Sequence, residues 1–490
     1  MTDRSVGRVR EAVMKNKSIK SLFFVILLLI ISPVMSLADT EISLKDVPLS
    51  IDKAVQIAFE KSRALKQAMI DYETSDKKLE ETKSQFGFDL KLSGNYQRVE
   101  DSSSLSMASI LYMPQDISGY FATTSLTMPG VPIYTAAPTP TIQMNEFKLN
   151  KVWQHSADAE LTKPLFLFGK KRDAIQASRL QKKSSSLDVE IEKLELTKSV
   201  KQGFYNLLLM MEVVKVQEEA VNQADSHLNA AKTRFEVGVS PKFDVIMAEV
   251  EVATAREELT TAQKGLELTR MAFNNLIGLP VSMKTRISDK GAYELINLKP
   301  IDFYLQIAFE NRVEINQIEY AKDMALASSR LSRLRPTIAF SGTYNIEQRG
   351  SGFGSENSWR AILAGEIPIF DNGTSKAQIA QARKLHEKLE LNMVDLKEGI
   401  ELQVEQAYLS LLEASQRIDT SAAVLKSAEE AYRMADAGFK EGVTANIDLI
   451  DAEHGLTQAK LNRANANFDY EIQKAGLARA CGLDSLSNVK

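Results

Sequence analysis

What this chain has little of narrows its function before any motif is read. Its 490 residues include one cysteine, four histidines and two tryptophans. The single thiol, Cys481, excludes an internal disulfide and lies too far from the N-terminus to be the acylated residue of a lipoprotein. A small apolar core residue is the reading its type favours. The histidines, His155, His227, His386 and His454, show no metal-ligand spacing to one another or to Cys481. No G-x-S-x-G, no P-loop and no G-x-G-x-x-G between a strand and a helix is present. Paired acids such as Glu218-Glu219 fall at helical surface spacing. The sequence therefore predicts no catalytic residue, no cofactor and no metal site. Beyond residue 38 there is also no apolar run of the roughly 18 residues that a membrane-spanning helix needs.

A shorter apolar run does open the chain. Arg4, Arg8, Arg10, Lys15, Lys17 and Lys20 precede the ten apolar residues Leu22 to Ile31, and Ser36-Leu37-Ala38 offers a small-x-small cleavage site. Residues 1–38 read as a secretory signal peptide, with Met14 as an alternative start. Removing them takes away six bases and two acids, so the net charge moves from −4 to −8. An acidic exported chain is a poor candidate for binding nucleic acid.

The remainder is a long internal repeat. FEVGVSPKFDVIMAE from Phe235 recurs as FKEGVTANIDLIDAE from Phe439, an offset of 204. IDKAVQIAFE from Ile51 recurs as IDFYLQIAFE from Ile301 at offset 250, and SGNY at Ser93 as SGTY at Ser341 at offset 248. Pro164 and Pro368 then pair at offset 204, which locates one insertion in the first copy, between about Arg98 and Lys151. The boundaries expected are a first repeat over 39–280, an equatorial linker over 281–299, a second repeat over 300–484 and a tail over 485–490.

Each copy reads helix, strand, loop, strand, long helix, turn, helix. From Lys170 to Glu236 there is no proline and one glycine, Gly203, which allows a rod of ~100 Å. Val221, Ala224, Leu228, Ala231 and Phe235 fall at spacings of 3 and 4, as do Leu425, Ala428, Tyr432, Ala435 and Phe439. That is a coiled-coil seam whose alanines let helices approach closely. The strand signals alternate. Phe88, Leu90, Leu92, Gly94 and Tyr96 interleave with polar residues, as do Ala157, Ala159 and Leu161, then Ile338 to Ile346, then Trp359 to Ile367. Segments of about ten residues suit tilted membrane strands, and a soluble half-buried sheet fits the alternation as well. Four strands cannot close: unpaired backbone in hydrocarbon costs several kcal/mol per group, so a membrane reading requires several chains to pool their strands. The alternative left open is a soluble periplasmic coiled-coil scaffold or adaptor. Trp153 and Trp359, near strand ends, favour the membrane as members of an aromatic belt.

The signal peptide, the two helix–strand–strand–helix–helix copies and the paired tip motifs resemble the TolC-like outer-membrane efflux proteins over essentially all of residues 45–484. The resemblance implies a membrane α+β fold: a homotrimer with a 12-stranded outer-membrane β-barrel, four strands per chain, continued by a 12-helix periplasmic α-barrel. Rods would run over 170–236 and 374–440. Shorter helices over 50–86 and 242–277 would stack beside the first, and 301–335 with 446–480 beside the second. It further implies a passive exit duct of a tripartite efflux or type I secretion system, in contact with outer-membrane lipid, a periplasmic adaptor (membrane fusion) protein and an inner-membrane transporter.

In that picture the repeated turns are periplasmic tips. Gly238 and Gly442 fit turns needing positive φ. Ser240-Pro241 reads as N-cap and first helical residue, with Thr444 the matching cap. By resemblance, Phe235, Val237, Gly238, Val239 and Ser240, with Phe439, Glu441, Gly442, Val443 and Thr444, form exposed adaptor-contact tips. Asp448 and Asp451, spaced i, i+3, share a helix face, and with Asp244 they are the expected periplasmic gate. Asp in a first turn also simply favours the helix dipole. Some family members carry a basic latch residue after the second Gly-x-Thr; here the run is Gly442-Val443-Thr444-Ala445-Asn446, so a closed gate must use other contacts. The resemblance places the 99–150 insertion, rich in Ser, Thr, Met and Pro, outside the cell, either as a lid over the channel or, the favoured reading, as a variable surface loop.

Overall fold

Two α-helices of 67 and 68 residues run through the molecule and set its architecture. The structure, a computed structural model, describes residues 49–98, 104–111, 141–148, 153–288, 295–349 and 355–486. The signal peptide expected over 1–38 lies outside the described residues. In chain order the elements are α1 (Ile51–Lys61), α2 (Arg63–Ser84), β1 (Asp89–Arg98), β2 (Ser104–Leu111), β3 (Thr141–Lys148), β4 (Trp153–Phe166), α3 (Lys170–Glu236) and α4 (Lys242–Leu276). Then follow α5 (Ile301–Asn311), α6 (Val313–Leu331), β5 (Thr337–Arg349), β6 (Ser355–Glu366), α7 (Thr374–Glu441) and α8 (Asn446–Ala480).

The rods form where proline is absent and small or apolar residues recur every three or four positions, so burial along one stripe sustains a length that propensity alone would not. α3 packs against α1, α2, α4, α6 and α8, and α7 against α5, α6 and α8. On α3 the seam residues Ala224 and Ala231 are buried, meeting Val252 and Ala255 on α4 and Ala248 and Leu449 beyond. A larger core gathers near the C-terminus, where Tyr304, Ile400, Leu411, Tyr470 and Leu477 enclose Cys481. Burial pushes that thiol up to about 12, so it stays protonated and serves as packing.

The shorter helices expected over 50–86 and 301–335 are each broken in two. At Ser62 the backbone leaves helical geometry and the side chain accepts from the Leu65 N–H at 3.3 Å, starting α2 afresh. At Arg312 the backbone is extended, and the buried guanidinium reaches the Ala480 carbonyl at 3.3 Å and Gln403 Oε1 at 3.0 Å. A tertiary contact with the end of α8 thus accompanies the one-residue break between α5 and α6.

The main sheet is antiparallel in the order β1-β4-β5-β6. Its register sorts the two faces. Leu92, Ala159, Tyr344 and Trp359 form one cross-strand row, and Leu90, Leu161, Gly342 and Ala361 the next. On the other face Lys91, Glu160, Thr343 and Arg360 align, as do Ser93, Asp158, Asn345 and Ser358. The apolar face is uncovered: Leu92 is 82% and Trp359 79% exposed. Strands β1 and β6 are the unpaired edges.

The insertion over 99–150 is not only a loop. It contains β2 and β3, which pair antiparallel with each other in a separate two-stranded sheet. The chain therefore has six described strands, four of them in the main sheet. The five prolines of the segment, Pro114 to Pro140, all fall between β2 and β3, leaving backbone N–H groups for a ladder on both sides.

At each strand-to-helix corner two consecutive residues are left-handed: Phe168 (φ 44°) with Gly169 (φ 94°), and Asn372 (φ 54°) with Gly373 (φ 85°). Beside the first corner Asp173 is fully buried between Arg330 Nε at 3.1 Å and Arg335 Nη1 at 2.9 Å. Burial alone would raise its pKa, but hydrogen bonds and charge from the two guanidiniums outweigh that and hold it below the usual carboxylate range.

Candidate functional site

The ends of the rods farthest from the sheet carry the repeated turns. α3 closes with the Val239 N–H on the Arg234 carbonyl and the Gly238 N–H on the Phe235 carbonyl, with Gly238 at φ 77°. α7 closes with the Val443 N–H on the Gly438 carbonyl and the Gly442 N–H on the Phe439 carbonyl, with Gly442 at φ 85°. Both are Schellman turns, in which a left-handed glycine lets two backbone N–H groups satisfy the last helical carbonyls. The two turns share this pair of hydrogen bonds, and the second adds one from the Thr444 N–H to the Gly438 carbonyl at 3.1 Å.

The returning helices begin at Lys242 and Asn446 as expected, but their caps are not the expected Ser240 and Thr444. Pro241 and Ala445 occupy the N-cap positions, and neither helix has a side-chain cap. Ser240 instead donates its hydroxyl to Asp244 Oδ2 at 2.5 Å. Thr444 sits against Gly438, where a Cβ would come within 2.1 Å of its Oγ1. Their roles are to hold a carboxylate and to fill a notch, because the cap positions fall to Pro241 and Ala445, whose side chains carry no oxygen to accept from the first turn.

The side chains break the symmetry that the backbones keep. Val237, Val239 and Val443 are exposed, as are Glu441 and, at 44%, Phe235. Phe439 is 2% exposed and packs with Ala231, Ala248 and Leu449. The expectation that Phe439 lies on a docking surface is therefore corrected. α8 lies against α3, so Phe439 is enclosed between the two hairpins, while its counterpart Phe235 has no such neighbour.

Phe439 is held there by residues that the repeat comparison passed over. Arg234 donates through Nη1 to its carbonyl at 2.5 Å, and the guanidinium stacks 4.9 Å from its ring centre. His227 meets the same ring edge-on at 5.1 Å. The imidazole is itself buried, with Nε2 2.8 Å from Asn446 Oδ1 and Nδ1 3.4 Å from Glu453 Oε2. Charge rather than a well-aligned hydrogen bond holds the His227–Glu453 pair, since neither facing atom meets hydrogen-bond geometry. Burial opposes the imidazolium, but the Glu453 carboxylate outweighs it and raises the His227 pKa. Glu453 is buried, whereas its repeat partner Glu249 is exposed, 4.0 Å from Lys232. The clue lay in the sequence: at offset 204, Arg234 faces Gly438 and His227 faces Ala431. Both mismatches fall where the two hairpins touch.

The three acids separate. Asp448 and Asp451 are exposed on one side of the first turns of α8, while the half-buried Asp244 is engaged by Ser240. Only the α8 pair is presented to solvent as free carboxylates.

A sheet with an uncovered apolar face, continued by paired helical rods that end in matched turns, defines the class: a membrane-channel subunit of the TolC-like type. Residues 54–279 and 304–483 match the family described as Outer membrane efflux protein, and the chain belongs to that family. It is 25% identical over 311 residues to the cobalt-zinc-cadmium resistance protein CzcC of Cupriavidus metallidurans, covering 62% of this chain and 72% of that one. With the outer membrane protein TolC of Escherichia coli K12 it shares 22% identity over 353 residues, covering 67% and 69%. Its fold matches the open-state MtrE outer membrane channel of Neisseria gonorrhoeae at a TM-score of 0.67 and 18% identity, covering 90% and 94%. The chain is thus an outer-membrane efflux channel protein whose helices extend into the periplasm.

Proposed function

We propose that three copies pool their sheets into one 12-stranded barrel and their rods into a 12-helix periplasmic duct, forming the passive exit of a tripartite efflux or secretion assembly. The observation that carries this reading is the main sheet: one apolar face, one polar face and two open edges, β1 and β6. In hydrocarbon such edges must pair, and the edge of a second copy is the partner that repeats the register. The polar rows then line the passage and the apolar rows meet lipid.

The tips supply gate and docking site. Val237, Val239 and Val443, with Phe235 at the margin, are uncovered apolar groups, suited to a periplasmic adaptor that couples the duct to an inner-membrane transporter. Asp448 and Asp451 from each chain ring the entrance. The closed state is latched within each chain by Arg234 on Phe439 and His227 on Glu453, in place of the basic residue missing after Thr444. Energy and cargo choice reside in the pump, so the duct itself needs no cofactor.

The test is reconstitution of the purified protein in planar bilayers, together with denaturing gels of unheated samples. Discrete conductance and an SDS-resistant trimer are expected. A monomer without conductance, even in latch-weakened variants, overturns the proposal.

A further inference from the structure

Where the sheet gives way to the helices, its apolar face ends in aromatic and basic residues. Lys163 follows Ala157, Ala159 and Leu161 on that face, and its ammonium lies 4.0 Å above the ring of Phe88, which is 66% exposed. Just beyond, the Lys171 ammonium lies 5.9 Å from the ring of Phe86. An amine on a long stem over an aromatic ring is the arrangement found where hydrocarbon meets headgroups. Phe166, Phe168, Ile369 and Phe370 are further exposed apolar side chains at the same level.

Two clefts open beneath them. One, of about 630 Å³, is lined by Lys171, Arg172 and Arg179 among others. The other, of about 590 Å³, is lined by Arg333, Lys376, Arg383 and Lys384 among others. Among the described residues no carboxylate lines either cleft, and Arg179, Arg333, Lys376 and Arg383 have no carboxylate partner. The acids at the corners are occupied elsewhere: Asp173 between Arg330 and Arg335, and Asp371 by the N–H groups of Gly373 and Ser375. Of the cleft cations, Lys384 pairs with Glu387 at 2.6 Å and Arg172 lies 4.0 Å from Asp173, so Arg179, Arg333, Lys376 and Arg383 carry the remaining positive charge of the two clefts, directly below a surface that contacts lipid.

We propose that these clefts bind the anionic headgroups of phospholipids in the periplasmic leaflet of the outer membrane. The exposed aromatics seat the acyl-chain boundary, and the arginines and lysines take the phosphates, for which guanidinium geometry is suited. Continuity with the apolar sheet face selects a lipid over a soluble anion, because a free phosphate gains nothing from the adjoining rings. The inference rests on the membrane placement of the sheet and not on trimer closure or the gate.

The experiment titrates the full-length protein in neutral detergent micelles with phosphatidylglycerol or phosphatidylcholine and counts bound lipid by native mass spectrometry. Phosphatidylglycerol is expected to bind at least about tenfold more tightly, a preference that weakens as salt rises. Combining Arg172→Gln, Arg179→Gln, Arg333→Gln, Lys376→Gln and Arg383→Gln should remove the preference, while Lys397→Gln with Lys426→Gln on the α7 rod should leave it intact. The salt dependence of the unaltered protein carries the test if the multiple variant fails to fold. Equal binding of the two lipids, a salt-independent preference, displacement by inorganic phosphate, or a preference unchanged in the cleft variant overturns the proposal. Conductance retained by the cleft variant separates this outcome from failure of the channel reading.

Discussion

Arg234 of the first hairpin donates to the backbone carbonyl of Phe439 in the second at 2.5 Å, with its guanidinium stacked on the same ring. One side chain thereby ties the two tips of a chain together. Arg234→Ala removes a hydrogen bond from a charged group, a contact that contributes roughly 1.5–3 kcal/mol. Open probability in planar bilayers should rise about tenfold or more. Arg234→Lys should rescue only part of the loss, since an ammonium cannot both stack and donate in the plane of the fork. Equal gating in all three proteins would show that the contact is not a latch.

The buried His227–Glu453 pair should make the proposed latch depend on pH. The His227 pKa is raised above its ordinary 6.5 by Glu453 against the opposing effect of burial. A raised folded-state value means the stabilisation is fully present below about 6.5 and is lost as pH rises through the folded value. Glu251, itself raised chiefly by burial, and His454, 3.2 Å away from it, lie on the neighbouring turns of α4 and α8. His227→Gln should lower Tm more at pH 6 than at pH 9, because a buried carboxylate is left without its partner, a loss of about 3 kcal/mol. A Tm difference that is flat with pH would remove the imidazolium from the account.

The acids of the entrance should be unequal. Asp448 and Asp451 are exposed, whereas Asp244 accepts the Ser240 hydroxyl. Asp448→Asn with Asp451→Asn should lower the cation selectivity measured as reversal potential in a salt gradient. Asp244→Asn should shift it much less. A larger effect from Asp244 would reverse the assignment of the ring.

At the sheet-to-helix corner, Asp173→Asn leaves Arg330 and Arg335 facing a neutral amide in a buried site. Removing one partner of a buried ion pair costs about 3–5 kcal/mol, readable as a lower Tm at pH 7. Arg335→Gln in the same background should recover part of it. Because the Asp173 pKa is lowered below 3.8 despite burial, its contribution is present above that value and disappears as pH falls through the folded one.

Much of this was legible in the chain. The rod lengths followed from proline-free runs with a seam of small residues, the sheet faces from strict alternation, and the two Schellman turns from glycines at one offset. Sequence identity misled where identical residues have different neighbours. Phe235 and Phe439 share a motif, yet α8 covers Phe439 while Phe235 stays 44% exposed. Arg312 breaks a helix because of carbonyls at the far end of α8, a partner no local signal announces. The caps at Ser240 and Thr444 failed because Pro241 and Ala445 took the boundary position. The most informative residues at the tips, His227 and Arg234, were visible only as mismatches between the copies.

The hairpin of β2 and β3 pairs with itself and contributes no strand to the four-stranded sheet. Its register is therefore independent of the ladder that positions everything else. That independence marks the proline-bearing segment between Leu111 and Thr141 as a place to graft an epitope or affinity tag. An added sequence there lies outside the ladder of the main sheet, and labelling it on intact cells would test whether the segment faces the cell exterior.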